Sequence, residues 1–124
     1  MPNIFVVMIG CAFGGAFRYL ITTYINKFST FPYGTLTVNL IGCFLIGVIS
    51  TFLTEYCKTT SLHISLFLSV GFLGGLTTFS SFSNETMILL KAGSILPALF
   101  NIGLNTIGGL VAVWVGIVVV RVLN

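Results

Sequence analysis

Apolar residues fill this chain in four long runs separated by short polar connectors. The runs cover about residues 3–25, 34–54, 62–90 and 94–122, and the connectors Asn26–Tyr33, Glu55–Ser61 and Lys91–Gly93 leave no room for a further domain. Each run is near the ~20 residues that carry an α-helix across the hydrocarbon core of a bilayer. The pattern predicts an all-α membrane protein of four transmembrane helices, with residues 1–124 forming a single integral membrane domain.

The third run is the irregular one. Gly71, Gly74 and Gly75 interrupt it, and Thr77, Thr78, Phe79, Ser80, Ser81, Phe82 and Ser83 follow. Glycine costs about 1 kcal/mol relative to alanine in a helix, and threonine is stiff at χ1. A continuous helix is poorly encoded there, and a mid-membrane break is expected near residues 74–78. In lipid, unwound backbone survives only where protein buries it or a watery cavity adjoins it. The stretch therefore reads as unusually tight packing or as a route for something polar.

Phe79 and Phe82 share one helix face, with Ser83 and Thr86 beside them. An aromatic ring is positive at its edge. Phenyl edges with hydroxyl donors, and no lysine or arginine nearby, suit loose coordination of a small anion. The plainer reading is that small and hydroxyl residues pack helices together and phenylalanine faces lipid.

Other polar positions carry similar alternatives. Gly10 and Gly14 form a small-residue pair that lets another backbone approach. Arg18, several residues inside its run, either snorkels to the interface or anchors a vestibule that concentrates anions. Asn39, the only amide of the second run, either makes an interhelical hydrogen bond or donates to a passing anion, with Gly42 letting a neighbour close over it. Asn101 and Asn105 lie on one face of the fourth run with Thr106 nearby, as pore wall or as helix glue. Glu85 is placed to pair with Arg18 or Lys91 or to line a vestibule; Trp114 reads as a packing residue and His63 as an interfacial one.

Composition narrows the classes. With 56% hydrophobic and 6% charged residues the chain cannot clothe a soluble surface, where about a quarter of residues are charged. The net charge of +3 comes from scattered basic residues and gives no nucleic-acid footprint. Cys11, Cys43 and Cys57 fit small hydrophobes, without metal-ligand spacing. No nucleophile and base are grouped, so an enzyme is not expected. The N-terminus lacks a positive leader and a cleavage site and reads as a retained first helix. Lys58 and Arg121 on one side balance Lys27 and Lys91 on the other. Such a tie selects neither orientation. Dual topology and an inverted two-fold homodimer are the resulting expectation.

Three segments, GGAFRY (Gly14 to Tyr19), GTLTVNLIGCFLIG (Gly34 to Gly47) and GFLGGLTTFSSFSNE (Gly71 to Glu85), together with length and span count, resemble the Fluc family of fluoride channels. The resemblance implies a passive channel that exports fluoride across the bacterial cytoplasmic membrane, built as an inverted homodimer with two pathways. It implies that Phe79 and Phe82 turn ring edges to the anion, with Ser80 and Ser83 in the pathway, and that Asn39 points toward the pore. It also implies a central structural sodium ion held by the backbone carbonyls of Gly74 and Thr77 from both subunits, and vestibule-end charges at Arg18 and Glu85. On the fourth helix the family uses hydroxyls where this chain offers Asn101 and Asn105, whose amides can donate in their place.

Fluoride is small and tightly hydrated, so its pore must replace water with donors and still let the ion leave. Two rival readings are a proton-coupled small multidrug-type exporter and a non-transporting membrane subunit. The first needs a carboxylate in the membrane core, whereas Glu55 and Glu85 lie toward helix ends. The second explains the glycines but not the clustered Phe, Ser, Thr and Asn.

Overall fold

A computed structural model describes residues 2–57, 59 and 61–124. Met1 and Lys58, the latter counted in the charge balance, lie outside the described residues. All regular structure among the described residues is helical. Helix α1 (Asn3–Ile25) closes in a 3-10 turn (Asn26–Phe28), and α2 (Tyr33–Thr51) widens into π-helical turns (Phe52–Tyr56). The third run comprises α3 (Leu62–Ser65), a π-helical stretch (Leu66–Leu73), α4 (Gly74–Leu76) and α5 (Phe79–Lys91), and α6 (Ile95–Leu123) completes the chain. Four stretches, Asn3–Phe28, Tyr33–Tyr56, Leu62–Lys91 and Ile95–Leu123, are long and apolar enough to cross a membrane.

Within the third stretch the glycines lie in helical backbone. The two residues with extended dihedrals are Thr77 (φ −86°, ψ 157°) and Thr78 (φ −152°, ψ 116°). Gly71 and Gly75 serve packing instead: a Cβ on Gly71 would sit 2.9 Å from the Gly10 Cα, and one on Gly75 would sit 2.6 Å from the Cys11 carbonyl oxygen. Gly10 and Gly14 are buried on the same contact, where α1 meets the π-helical stretch and α4. Here backbone touches backbone, which only residues without a side chain permit.

A second close crossing joins α2 to α6. A Cβ on Gly47 would run into the Val113 carbonyl oxygen, and one on Gly116 into that of Phe44. Val38, Leu73 and Leu76 form the buried apolar centre between the second and third spans. The inner face of α6 is built from Ala98, Asn101, Gly109, Gly116 and Val120. Trp114 is excluded from it at 63% exposure, so it does not pack inside the chain as its mid-helix position suggests. Small residues occupy the inner face because α2 approaches too closely for an indole.

Helix ends follow local chemistry. The Thr78 hydroxyl accepts from the Ser81 N–H at 3.1 Å and starts α5, as an N-cap threonine does. At the other end Gly93 takes φ 75°, its N–H donates to the Leu90 carbonyl, and the Ser94 N–H donates to that of Leu89. This is a Schellman stop, whose left-handed residue is glycine because a Cβ is costly there.

Arg121 Nη2 meets Glu55 Oε1 at 2.5 Å, placing the end of α6 beside the end of the second span. Both side chains are exposed, and exposed pairs contribute little because water screens them. Glu55→Gln is therefore expected to leave the thermal midpoint of the purified protein nearly unchanged. A drop of several degrees in a fluorescence melt would show that the pair holds the helix ends together.

Candidate functional site

The extended pair Thr77–Thr78 removes backbone groups from the helical ladder, and side chains from other helices take them over. Asn39 Oδ1 accepts from the Thr78 N–H at 2.9 Å, and Asn39 Nδ2 donates to the Thr78 carbonyl at 3.3 Å. Arg18 Nη1 donates to the Thr77 carbonyl at 3.3 Å. Arg18 thus turns inward to the extended pair and does not snorkel outward. In a continuous helix the Thr78 and Ser81 N–H groups would serve the Gly74 and Thr77 carbonyls. Here they go to Asn39 and to the Thr78 hydroxyl, leaving both carbonyls without their helical donors.

Asn39 continues into a polar chain across the spans. Its Nδ2 donates to Asn105 Oδ1 at 2.8 Å, and Asn105 Nδ2 donates to the Asn101 side-chain and backbone oxygens, each at 3.0 Å. Asn101 Nδ2 donates to Thr86 Oγ1 at 2.9 Å, and the Thr86 hydroxyl donates to the Phe82 carbonyl at 2.8 Å. Buried polar groups in a low-dielectric interior require such partners.

A cavity of about 370 Å³ adjoins this chain, lined among others by Asn39, Gly42, Cys43, Gly74, Thr77, Thr78, Phe79, Phe82, Asn105 and Thr106. The Phe79 and Phe82 rings meet edge to face, with centroids 5.5 Å apart. Phe82 is buried, whereas Phe79 is 78% exposed on this chain. The predicted site residues Asn39, Phe79, Phe82, Asn105, Gly74 and Thr77 therefore share one cavity.

Others lie elsewhere. Asn101 is fully buried and does not line the cavity. Ser80 is exposed, with its hydroxyl 3.2 Å from that of Thr78, and Ser83 is half-buried outside the lining. Glu85 lines a second cavity of about 220 Å³ with Asn26, Ser29 and Thr30. Its Oε1 accepts from the Thr35 hydroxyl at 2.6 Å, and it forms an ion pair with neither Arg18 nor Lys91.

Thr78 and Thr86 stand in the sequence only among the hydroxyls around Phe79 and Phe82, and their individual roles come from the fold. Thr78 carries a legible signal, a hydroxyl three residues ahead of a serine at a helix start. The role of Thr86 depends on a partner fifteen residues away and has no local signature.

Four apolar spans carrying a chain of amides and hydroxyls between them define a multi-pass membrane protein with a largely apolar cavity that a few amides and hydroxyls also line. Residues 5–117 match the family model described as CrcB-like protein, Camphor Resistance (CrcB), and the chain belongs to this CrcB family. It is 42% identical over 123 residues to the fluoride-specific ion channel FluC of Flavobacterium psychrophilum, covering 98% of both chains. The FluC of Shewanella woodyi is 47% identical over 107 residues, 85% of each chain. That of Parabacteroides distasonis is 40% identical over 120 residues, covering 95% of this chain and 92% of the relative.

Proposed function

We propose that the protein is a passive fluoride-selective channel exporting the ion across the cytoplasmic membrane, with the cavity at Thr77–Thr78 as part of its pathway. The observation that carries this reading is the convergence of Asn39, Asn105, Phe79 and Phe82 on one cavity with no lysine or arginine in its lining. The names of the relatives support it. A buried cation in the lining would hold fluoride; amides, hydroxyls and ring edges release it.

The donors are arranged for exchange. Thr77 Oγ1 donates to the Leu73 carbonyl and Thr106 Oγ1 to that of Ile102, both four residues back on the same helix. Asn39 donates to the Thr78 carbonyl across a long 3.3 Å contact. A hydroxyl that rotates, or an amide that releases this contact, serves fluoride while the freed carbonyl loses only a secondary partner. The ion gains donors on entry and the protein recovers its own bonds when it leaves. Ser80 and Ser83, one turn apart on α5, extend the route beyond the cavity lining.

The functional unit in this reading is an inverted homodimer, with Thr77–Thr78 as a break at mid-membrane. The exposed Phe79 and the open cavity side then meet the second subunit. The Gly74 and Thr77 carbonyls, without their helical donors, suit a hard cation such as sodium. No side chain blocks Gly74, because a Cβ there would meet nothing within 4 Å. Gly74 and Thr77 would hold the ion, which supplies fixed positive charge that offsets the cost of an anion in low dielectric. Arg18, sharing the Thr77 carbonyl, adds to that field, and Glu85 sits at the vestibule end. A proton-coupled exporter fits less well, since neither Glu55 nor Glu85 lines the main cavity.

Liposomes loaded with fluoride and chloride, and containing the purified chain, test the proposal with ion-selective electrodes. Rapid fluoride loss with little chloride loss is expected, and Phe79→Ile should slow it by roughly tenfold or more, because an aliphatic chain lacks a positive edge worth ~1.4 kcal/mol to the ion. Equal loss of both ions, or of neither from folded protein, would overturn the channel assignment.

A further inference from the structure

The polar chain has a direction. The Thr78 N–H can only donate, so Asn39 must present Oδ1 to it and Nδ2 to Asn105. Asn105 must then present Oδ1 to Asn39 and Nδ2 to Asn101. Asn101 in turn points Nδ2 at Thr86, whose hydroxyl hydrogen goes to the Phe82 carbonyl, a group that can only accept. A pure donor begins the chain and a pure acceptor ends it, so every amide between is held in one orientation. Its two ends, Thr78 and Phe82, bracket the first turn of α5, which carries Phe79.

We infer that Asn101 and Thr86 are positioning residues for conduction: buried, outside the cavity, and acting through Asn105 and Asn39 to fix the amides and the phenylalanine turn that the ion meets. The inference rests on the channel reading for its functional consequence and on the hydrogen bonds alone for its geometry. Asn101 is 0% and Thr86 7% exposed, and neither lines either cavity described above. Neither is therefore placed to touch the ion. Simple helix glue would need only one bond between α5 and α6. The continuation through Asn105 into Asn39 and the extended backbone ties their amide orientation to the residues that line the cavity.

The test compares fluoride flux per folded dimer in Thr86→Val, Thr86→Ser, Asn101→Leu and the double variant Asn101→Leu/Thr86→Val. Thr86→Val keeps the shape and removes the hydroxyl, and is expected to lower flux about tenfold, the usual scale for a lost buried partner. Thr86→Ser restores the hydroxyl and should conduct within about twofold of the parent. The double variant should fall no further than the weaker single, because members of one chain are not additive. Unchanged flux in Thr86→Val, equal losses in the valine and serine variants, or multiplicative losses in the double would each overturn the inference.

If the variants do not fold, side-chain amide proton exchange in the unmodified protein decides. Slow exchange at Asn39, Asn101 and Asn105 is expected, and exchange at Asn101 as fast as at the exposed amide of Asn84 refutes the chain. This measurement needs no flux, so a parent that fails to carry fluoride would remove the channel reading while the clamp is judged separately.

Discussion

Asn39→Asp is expected to reduce fluoride flux by at least about 100-fold, corresponding to ~2.7 kcal/mol at the rate-limiting barrier. One carboxylate oxygen can still accept from the Thr78 N–H, as Oδ1 does at 2.9 Å. The other stands where Nδ2 donates to the Thr78 carbonyl and to Asn105 Oδ1. Both former acceptors would then face an acceptor, and each lost partner in a buried site costs about 1–3 kcal/mol. Asn105 can answer by flipping its amide, but its Oδ1 then faces the two oxygens of Asn101 that its Nδ2 now serves. The new negative charge also repels the permeating anion in a low-dielectric cavity. Electrode recordings of fluoride efflux, normalised to folded protein, check this. Flux within tenfold of the parent would mean that the amide is not on the route.

The second large effect concerns packing and separates two adjacent glycines. Gly14→Ala places a methyl against the Phe72 carbonyl oxygen and 2.8 Å from the Leu76 nitrogen, both backbone atoms that cannot step aside. Gly15→Ala places the same methyl where nothing lies within 4 Å. Overpacking of this kind costs about 1–3 kcal/mol. Alanine in an open helical site instead gains roughly 0.5–1 kcal/mol over glycine. Gly14→Ala should therefore melt several degrees below the parent, and Gly15→Ala at or above it, when detergent-solubilised protein is followed by circular dichroism. Equal midpoints would mean that α1 and the third span do not meet as closely as described. A fall confined to Gly15→Ala would place a partner surface on that side of α1.

The residues differ in how far their roles could be read in advance. The spans were legible because hydrocarbon thickness sets a length and composition that few other contexts demand. Gly10 and Gly14 were legible as a close-approach pair, since their spacing alone puts both on one helix face. The glycines of the third span were harder to assign. Propensity measured in water marks them as weak points of a helix. A bilayer offers the peptide group no alternative partner, and Gly71, Gly74 and Gly75 remain helical. The extended residues are Thr77 and Thr78, where Arg18 and Asn39 reach over from other spans to replace the missing helical bonds.

Arg18 shows the same limit. Its distance from the helix end allowed a snorkelling posture, but the proximity of an orphaned carbonyl settles its direction. Glu85 was placed either to pair with a cation or to line a vestibule; it accepts from Thr35, fifty residues away, and lines the second cavity. Asn101 and Asn105 were visible as a stripe, yet spacing could not say which of them faces the cavity.

The sequence by itself therefore determined the class, the number and extent of the spans, and the residue types available to an ion, because these follow from length, polarity and period. Only the tertiary structure decided where the third span leaves helical geometry and which amide faces the cavity rather than the core. Those outcomes depend on backbone donors and acceptors that must each find a partner, and in this chain the partners come from helices distant in sequence.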